Sequence, residues 1–305
     1  MSTRSIAFIA APLALAATLL AAPAQAVVNV FACEPEWAAL ATELGGDRVK
    51  VSSATTALQD PHRIEARPSL IARTRNADLL ACTGLELEVG WLPILLQQSG
   101  NPKIAPGQPG NFEAGAVVAR LDVPARLDRS DGDVHAAGNP HIQQDPRNIL
   151  KVADAMARRL AQIDAANAAV YQSRLADFSG RWSAAMQKWD KQLAPVRGLA
   201  VVEHHKNMEY LMHWAGLKQV GTLEPKPGVE PSASHLNELL TQLQKQPARM
   251  VLRAAYQDAR ASDWLAEHAK IPAVVLPFTV GGNERTKDLF SLFDDTVARL
   301  VEAAK

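Results

Sequence analysis

Apolar runs and polar breaks alternate along the first hundred residues at the spacing of strands and helices. Val27 to Cys33 reads Val-Val-Asn-Val-Phe-Ala-Cys, a β-rich run bounded by charge. A helical pattern over Trp37 to Leu44 follows and ends at Gly45-Gly46. Val49 to Ser52 predicts a second strand, a loop then carries Asp60-Pro61-His62, and Pro68-Ser69 opens another helix. Ala77 to Cys82 predicts a third strand, and Trp91 to Gln98 a helix that stops before Gly100. This βαβ rhythm predicts a parallel, doubly wound sheet, whose ligands bind beyond the carboxyl ends of its strands.

From Pro102 to Pro140 the pattern fades into Gly, Pro, Asp and Ala, which predicts loops with a short strand or two. Helical periodicity then dominates. Ile149 to Ile163 predicts one amphipathic helix and Ala165 to Leu193 a second, nearly free of glycine, with Tyr171, Phe178, Trp182 and Trp189 along it. A helix near thirty residues spans about 45 Å, enough to run along two lobes as a stiff spine. The aromatic stripe reads as core. After Gly198 the alternation resumes, with strands at Leu199 to Val202, Met250 to Leu252 and Val274 to Leu276. Helices are predicted over Met208 to Trp214, Leu236 to Gln244, Asp263 to His268 and Lys287 to Ala303. The expected fold is α/β: an N-terminal lobe over 27–164, a spine over 165–195 and a C-terminal lobe over 196–305, facing each other across a cleft.

Composition refines this picture in three places. Residues 1–26 carry Arg4, an apolar stretch from Ile6 to Ala22 and an Ala24-Gln25-Ala26 cleavage pattern, so a secretory signal peptide is expected. No cysteine follows Ala26 directly, which argues against a lipid anchor and for a soluble periplasmic chain. The 32 basic and 32 acidic residues balance, so nothing in the charge suggests nucleic-acid binding or an electrostatic membrane grip. Cys33 and Cys82 each close a predicted strand. An oxidising compartment favours a disulfide between them over two buried thiols, with a cysteine metal site the least favoured alternative.

Three histidines have distinctive settings. His62 ends Asp60-Pro61-His62, His141 lies in Asn139-Pro140-His141, and His205 follows the predicted Leu199 strand. They are too far apart in sequence for one helix or finger, so only a folded cleft brings them together. Imidazole suits Zn²⁺, and three imidazoles leave one tetrahedral position for a further ligand. His204 is expected to point away from His205; His135, on a loop near His141, reads as a solvated residue, with transient capture of metal as the alternative. His213, His235 and His268 read as background. No His-Glu-x-x-His, Gly-x-Ser-x-Gly, P-loop or Gly-x-Gly-x-x-Gly motif is present. Glu65 or Asp60 would serve as the base in an alternative reading, a periplasmic zinc-dependent hydrolase.

At these residues the chain resembles the cluster A-I solute-binding proteins of metal ABC transporters, a zinc- and manganese-binding family. The resemblance rests on Asp60-Pro61-His62 with Arg67-Pro68-Ser69, and on Asn76-Ala77-Asp78-Leu79 with Gly84-Leu85-Glu86-Leu87-Glu88. Pro140-His141 with Asp145-Pro146-Arg147-Asn148, His205 with Tyr210, and Leu223-Glu224-Pro225-Lys226-Pro227-Gly228-Val229 extend it. It implies two lobes joined by a long helix, with His62 and His141 supplied by the first and His205 by the second. Many relatives add a carboxylate from the last strand-loop, where this chain has Thr279. The fourth ligand stays open between water, Asp60 and Glu203. Manganese members generally pair two histidines with two carboxylates, so three imidazoles imply Zn²⁺ as cargo. The implied partners are an inner-membrane ABC permease and a periplasmic metallochaperone, for a chain expected to be monomeric. A manganese-binding or adhesin member of the same fold is the remaining alternative.

Overall fold

Both halves of the chain build the same kind of sheet. The computed structural model describes residues 27–126, 128, 132 and 134–305; the signal-peptide expectation lies outside them. In the first lobe β1 (Val28–Ala32), β2 (Val49–Ser53), β3 (Leu79–Cys82) and β4 (Asn111–Glu113) form a parallel sheet in the order β2-β1-β3-β4. In the second, β5 (Ala200–Glu203), β6 (Lys218–Thr222), β7 (Met250–Ala254) and β8 (Ala273–Leu276) repeat that order as β6-β5-β7-β8. The central strands β1, β3, β5 and β7 are almost wholly buried, as strands covered on both faces must be. Strand β6 escapes a sequence reading because Lys-Gln-Val-Gly-Thr holds one large apolar residue. As an edge strand it needs no more.

Helices α1 (Pro35–Gly45), α2 (Pro68–Arg75), α3 (Leu92–Ser99) and α4 (Pro146–Ile163) belong to the first lobe. Each carries proline in its first turn, where the missing N–H costs no intrahelical bond. Asp145 caps α4 by accepting the Arg147 N–H at 2.8 Å. The predicted spine begins later than the pattern suggested: residues Ala165–Asn167 form a 3₁₀ turn, and the α-helix α5 runs over Ala168–Gln192. Tyr171, Phe178, Trp182 and Trp189 are all fully buried on it. In the second lobe lie α6 (Glu209–Ala215), α7 (Ala233–Lys245), α8 (Arg260–Ala269) and α9 (Leu289–Ala303). Helix α5 packs on α1 and α4 from the first lobe and on α9 from the second, so one continuous apolar cluster runs through both lobes.

A polar bridge also crosses between them. The Thr279 hydroxyl, beyond β8, donates to Glu36 Oε2 on α1 at 2.5 Å. Burial pushes the Glu36 carboxyl up to about 7, opposed by this hydrogen bond. Its folded pKa thus exceeds the ordinary 4.5, and the native state binds the extra proton between those values. Stability from this group is present below pH 4.5 and is lost as pH rises towards 7, at up to about 1.4 kcal/mol per pH unit. Glu36→Gln mimics the protonated acid. Urea unfolding should show the variant gaining on the wild type as pH rises through that window; parallel stability curves would contradict the assignment.

Candidate metal centre

His62 sits in the loop after β2, and its ring is fixed from within that loop. Asp60 Oδ1 accepts the His62 backbone N–H at 3.0 Å and pairs with ring Nδ1 at 2.7 Å. Trp91 Nε1 donates to the Pro61 carbonyl at 2.8 Å and pins the turn from the other side. Burial alone would raise the Asp60 pKa; the hydrogen bond and charge of His62, with that of His205, outweigh it and hold it below the usual carboxylate range.

His205 lies just beyond β5, at the carboxyl edge of the second sheet. Its Nδ1 pairs with Glu224 Oε2 at 2.6 Å, and the same oxygen accepts the Gly228 N–H at 2.8 Å. The turn after β6 therefore holds this ring. In both histidines a carboxylate fixes Nδ1 as the protonated nitrogen and leaves the Nε2 lone pair to bind a metal, the arrangement that orients and strengthens metal-bound imidazoles.

His141 differs. It enters from the turn before α4, where its N–H donates to Asn139 Oδ1 at 3.0 Å. The ring is buried, and neither nitrogen has a hydrogen-bond partner among the described residues. The Phe278 ring meets its edge at 5.6 Å. Phe278 is held there with φ of 67°, and its carbonyl accepts Gln144 Nε2 at 2.6 Å. Burial, then the neighbouring charges of His62, His205 and His135, push the His141 pKa well below its usual 6.5. This imidazole stays neutral into acid. A desolvated nitrogen without a partner costs about 1–3 kcal/mol, a cost that an ion would relieve.

One ligand atom from each of His62, His141 and His205 lies within 4.8 Å of the other two. Around a tetrahedral zinc with bonds of ~2.0–2.1 Å, nitrogens stand about 3.4 Å apart, so a modest drawing-in of the rings completes a coordination triangle. The Asp60 and Glu224 carboxylates behind it balance a divalent charge. The adjoining cavity is only about 130 Å³, between His135, His141, His205, Asn139, Lys206 and Pro227. That is ample for an ion with water and below the ~300 Å³ of a typical small-molecule pocket.

The other sequence candidates fall into place around this group. His135 is half-buried and stacks on His62 with centroids 5.3 Å apart, its Nε2 3.3 Å from His62 Nε2, which overturns its reading as a solvated loop residue. The adjacent Ala136 N–H donates to Glu86 at 2.5 Å and ties that loop to the first lobe. Glu203 is wholly buried, accepting the Met208 N–H and the Gln219 amide. Thr279 is committed to Glu36, and Glu65 is exposed. His204 is buried, with Nδ1 unpartnered among the described residues. His213, His235 and His268 pair locally with Arg147, the Thr222 carbonyl and the Trp264 carbonyl. Glu224, unremarked in the sequence as a ring partner, is legible only once β6 places it beside His205.

Removing the Glu224 carboxylate is expected to weaken metal binding by about 10–100-fold through loss of ring orientation and basicity. Competition against a chromophoric chelator with Glu224→Ala checks this; unchanged affinity would sink the orienting role.

Two parallel-sheet lobes, a connecting helix and imidazoles converging from both sides define a two-lobed solute-binding protein for a metal ion. Comparison with known proteins agrees. Residues 30–303 match the family described as the zinc-uptake complex component A, periplasmic, and the chain belongs to that family, whose members are substrate-binding components of metal ABC transporters and not enzymes. The chain is 27% identical over 160 residues to the metal ABC transporter substrate-binding lipoprotein ScbA of Streptococcus cristatus. That alignment covers 52% of this chain and 48% of ScbA, about half of each. It is 22% identical over 268 residues to the manganese ABC transporter substrate-binding lipoprotein scaA of Streptococcus gordonii, covering 86% and 83% of the two chains. A crystal structure of ZnuA superposes with a TM-score of 0.76 at 21% identity, over 92% of this chain and 100% of that one.

Proposed function

We propose that this chain captures Zn²⁺ outside the cytoplasm and delivers it to a membrane ABC permease. The observation that carries the reading is the convergence of His62, His141 and His205, with two rings fixed by carboxylates and the third buried and unpartnered. Imidazole donors suit zinc, whereas carboxylate, carbonyl and water oxygens suit manganese. The scaA relative is named for manganese, so the donor set, rather than kinship, supports zinc here. His135 completes the site as fourth ligand: its Nε2 already stands from His62 Nε2 at the spacing two nitrogens take around one tetrahedral ion. The narrow cavity favours an ion over the substrate that a zinc hydrolase would need.

Titration of metal-free protein with Zn²⁺ and with Mn²⁺, beside a His62→Ala/His141→Ala/His205→Ala variant, tests the reading. The expected result is one tight zinc site, lost in the variant, with manganese weaker by about 100-fold or more. His135→Ala should keep the site at reduced affinity. Equal affinity for both metals would overturn zinc as cargo, and equal binding by the variant would overturn the ligand set.

A further inference from the structure

A second cluster of donor side chains occupies the carboxyl edge of the first sheet, where the strand order reverses between β1 and β3. Such reversals open crevices at which α/β sheets bind ligands. Cys33 follows β1 and Cys82 ends β3; they form a disulfide with Cα atoms 4.8 Å apart. Both sulfurs and a Glu88 carboxylate oxygen lie within 4.8 Å of one another, and all three residues are buried. Glu88 is held by the Thr83 N–H at 2.7 Å and the Gly84 N–H at 3.0 Å. Beside it, Glu34 accepts the Thr83 hydroxyl at 3.1 Å on one oxygen. Its other oxygen, Oε1, is buried and meets no N–H or hydroxyl donor among the described residues, and the Glu34 side chain also hydrogen-bonds that of Glu88.

Packing a disulfide needs no carboxylates, and two buried side by side tolerate a full charge poorly even when hydrogen-bonded. The cluster, although buried, borders a cavity. Cys82 and Glu88 line a largely apolar cavity of about 590 Å³ walled by Leu80, Leu85, Leu92 and Leu96.

We propose that reduction of the Cys33–Cys82 disulfide converts this cluster into a second divalent-metal site, with two thiolates and the Glu88 carboxylate as ligands. The ions it fits are soft or borderline, Zn²⁺ and Cd²⁺, because thiolate donors select them. A dithiol reductant supplies the electrons. Its thiolate attacks the Cys82 sulfur from the cavity, the sulfur–sulfur bond breaks and Cys33 leaves as thiolate. The reductant's second thiol then closes its own disulfide and releases Cys82 as thiolate. Two electrons pass from the dithiol to the protein disulfide, and its two protons go to solvent. The metal's two positive charges cancel the two thiolates, so loading adds no net charge to a buried pocket. Water from the cavity fills the fourth position, and Glu34 buttresses Glu88.

The test uses the His62→Ala/His141→Ala/His205→Ala variant, so it stands or falls apart from the cleft reading, and repeats it on wild type. Protein is reduced with a small dithiol, freed of it without air, and titrated with Co²⁺ and then Zn²⁺. One equivalent of Co²⁺ should give thiolate-to-cobalt charge transfer in the reduced variant only, bleached by Zn²⁺. Glu88→Gln should weaken that binding at least tenfold, and Cys82→Ser should abolish the band. Absence of the band, its appearance in oxidised protein, or loss of near-ultraviolet circular dichroism on reduction would each overturn the site.

Discussion

Replacing His141 by alanine is expected to weaken zinc binding by about three orders of magnitude. A four-ligand zinc site supplies roughly 10–16 kcal/mol, and loss of one ligand removes about 4 kcal/mol at 1.4 kcal/mol per tenfold. His141 is the most informative of the three because no other role accounts for it. Among the described residues neither ring nitrogen finds a hydrogen-bond partner, and the ring is shielded from water. Its depressed pKa means that no proton has to leave before metal binds. The same depression makes a second observable. The unfolded state takes up a proton at 6.5 and the native state resists it, so metal-free wild type loses stability as pH falls below that value. His141→Ala should lack that component. In thermal melts, zinc should raise the wild-type midpoint and leave the variant's almost unmoved. Free imidazole should restore part of the zinc response, because the deletion leaves an imidazole-sized space beside Phe278. A variant that binds zinc as tightly as wild type would remove His141 from the site.

What could be read from the chain, and what could not, follows from how local each signal is. The Val28 and Leu79 strands and the Pro68 helix start are written in a few adjacent residues, and the structure has them where the pattern puts them; α1 and α4, expected from Trp37 and Ile149, begin earlier, at Pro35 and Pro146. His62 and His141 stand out because each follows a proline in a loop, and His205 because it ends an apolar strand. Their partners are written in tertiary distance. Glu224 meets His205 from nineteen residues away, and His135 meets His62 across 73. No periodicity reports either contact. His135 was misread because a Gly- and Asp-rich loop looks solvated in sequence. In the fold its Gly132 runs against the Pro227 turn, where a Cβ would lie 2.3 Å from the Pro227 carbonyl oxygen. Asp60 was read as an open ligand or base, and Thr279 marked the place of an absent acid. The structure commits Asp60 to the His62 ring and Thr279 to Glu36. The 3₁₀ turn at Ala165–Asn167 was hidden because Ala-Ala-Asn has no helix breaker. Asp164 ends α4 there by binding Asn167 and the Tyr171 hydroxyl.

Trp182→Ala on the spine helix is expected to cost about 3–5 kcal/mol of stability, the range for deleting a large buried aromatic side chain. The ring is wholly buried. It stacks on Phe178 at 5.2 Å and meets Trp189 at 5.1 Å, Phe290 at 4.9 Å and Phe293 at 5.4 Å. Phe290 and Phe293 belong to α9 of the second lobe, while Trp182 Nε1 donates to the Pro146 carbonyl of α4 in the first at 2.9 Å. One side chain thus joins both lobes to the spine, and its deletion should lower the melting midpoint by roughly 6–20 °C at about 2–4 °C per kcal/mol. Trp182→Phe separates the two contributions: it keeps most of the packing and loses the hydrogen bond, for about 1 kcal/mol plus a smaller cavity term. Zinc affinity should change little in either variant, because His141 is oriented by Asn139 and Phe278 rather than by α5. If Trp182→Ala cost less than about 1 kcal/mol, the lobes would be held by their own cores and the aromatic cluster would be dispensable. If it spared stability but removed zinc binding, the spine would be setting the distance between His141 and His205.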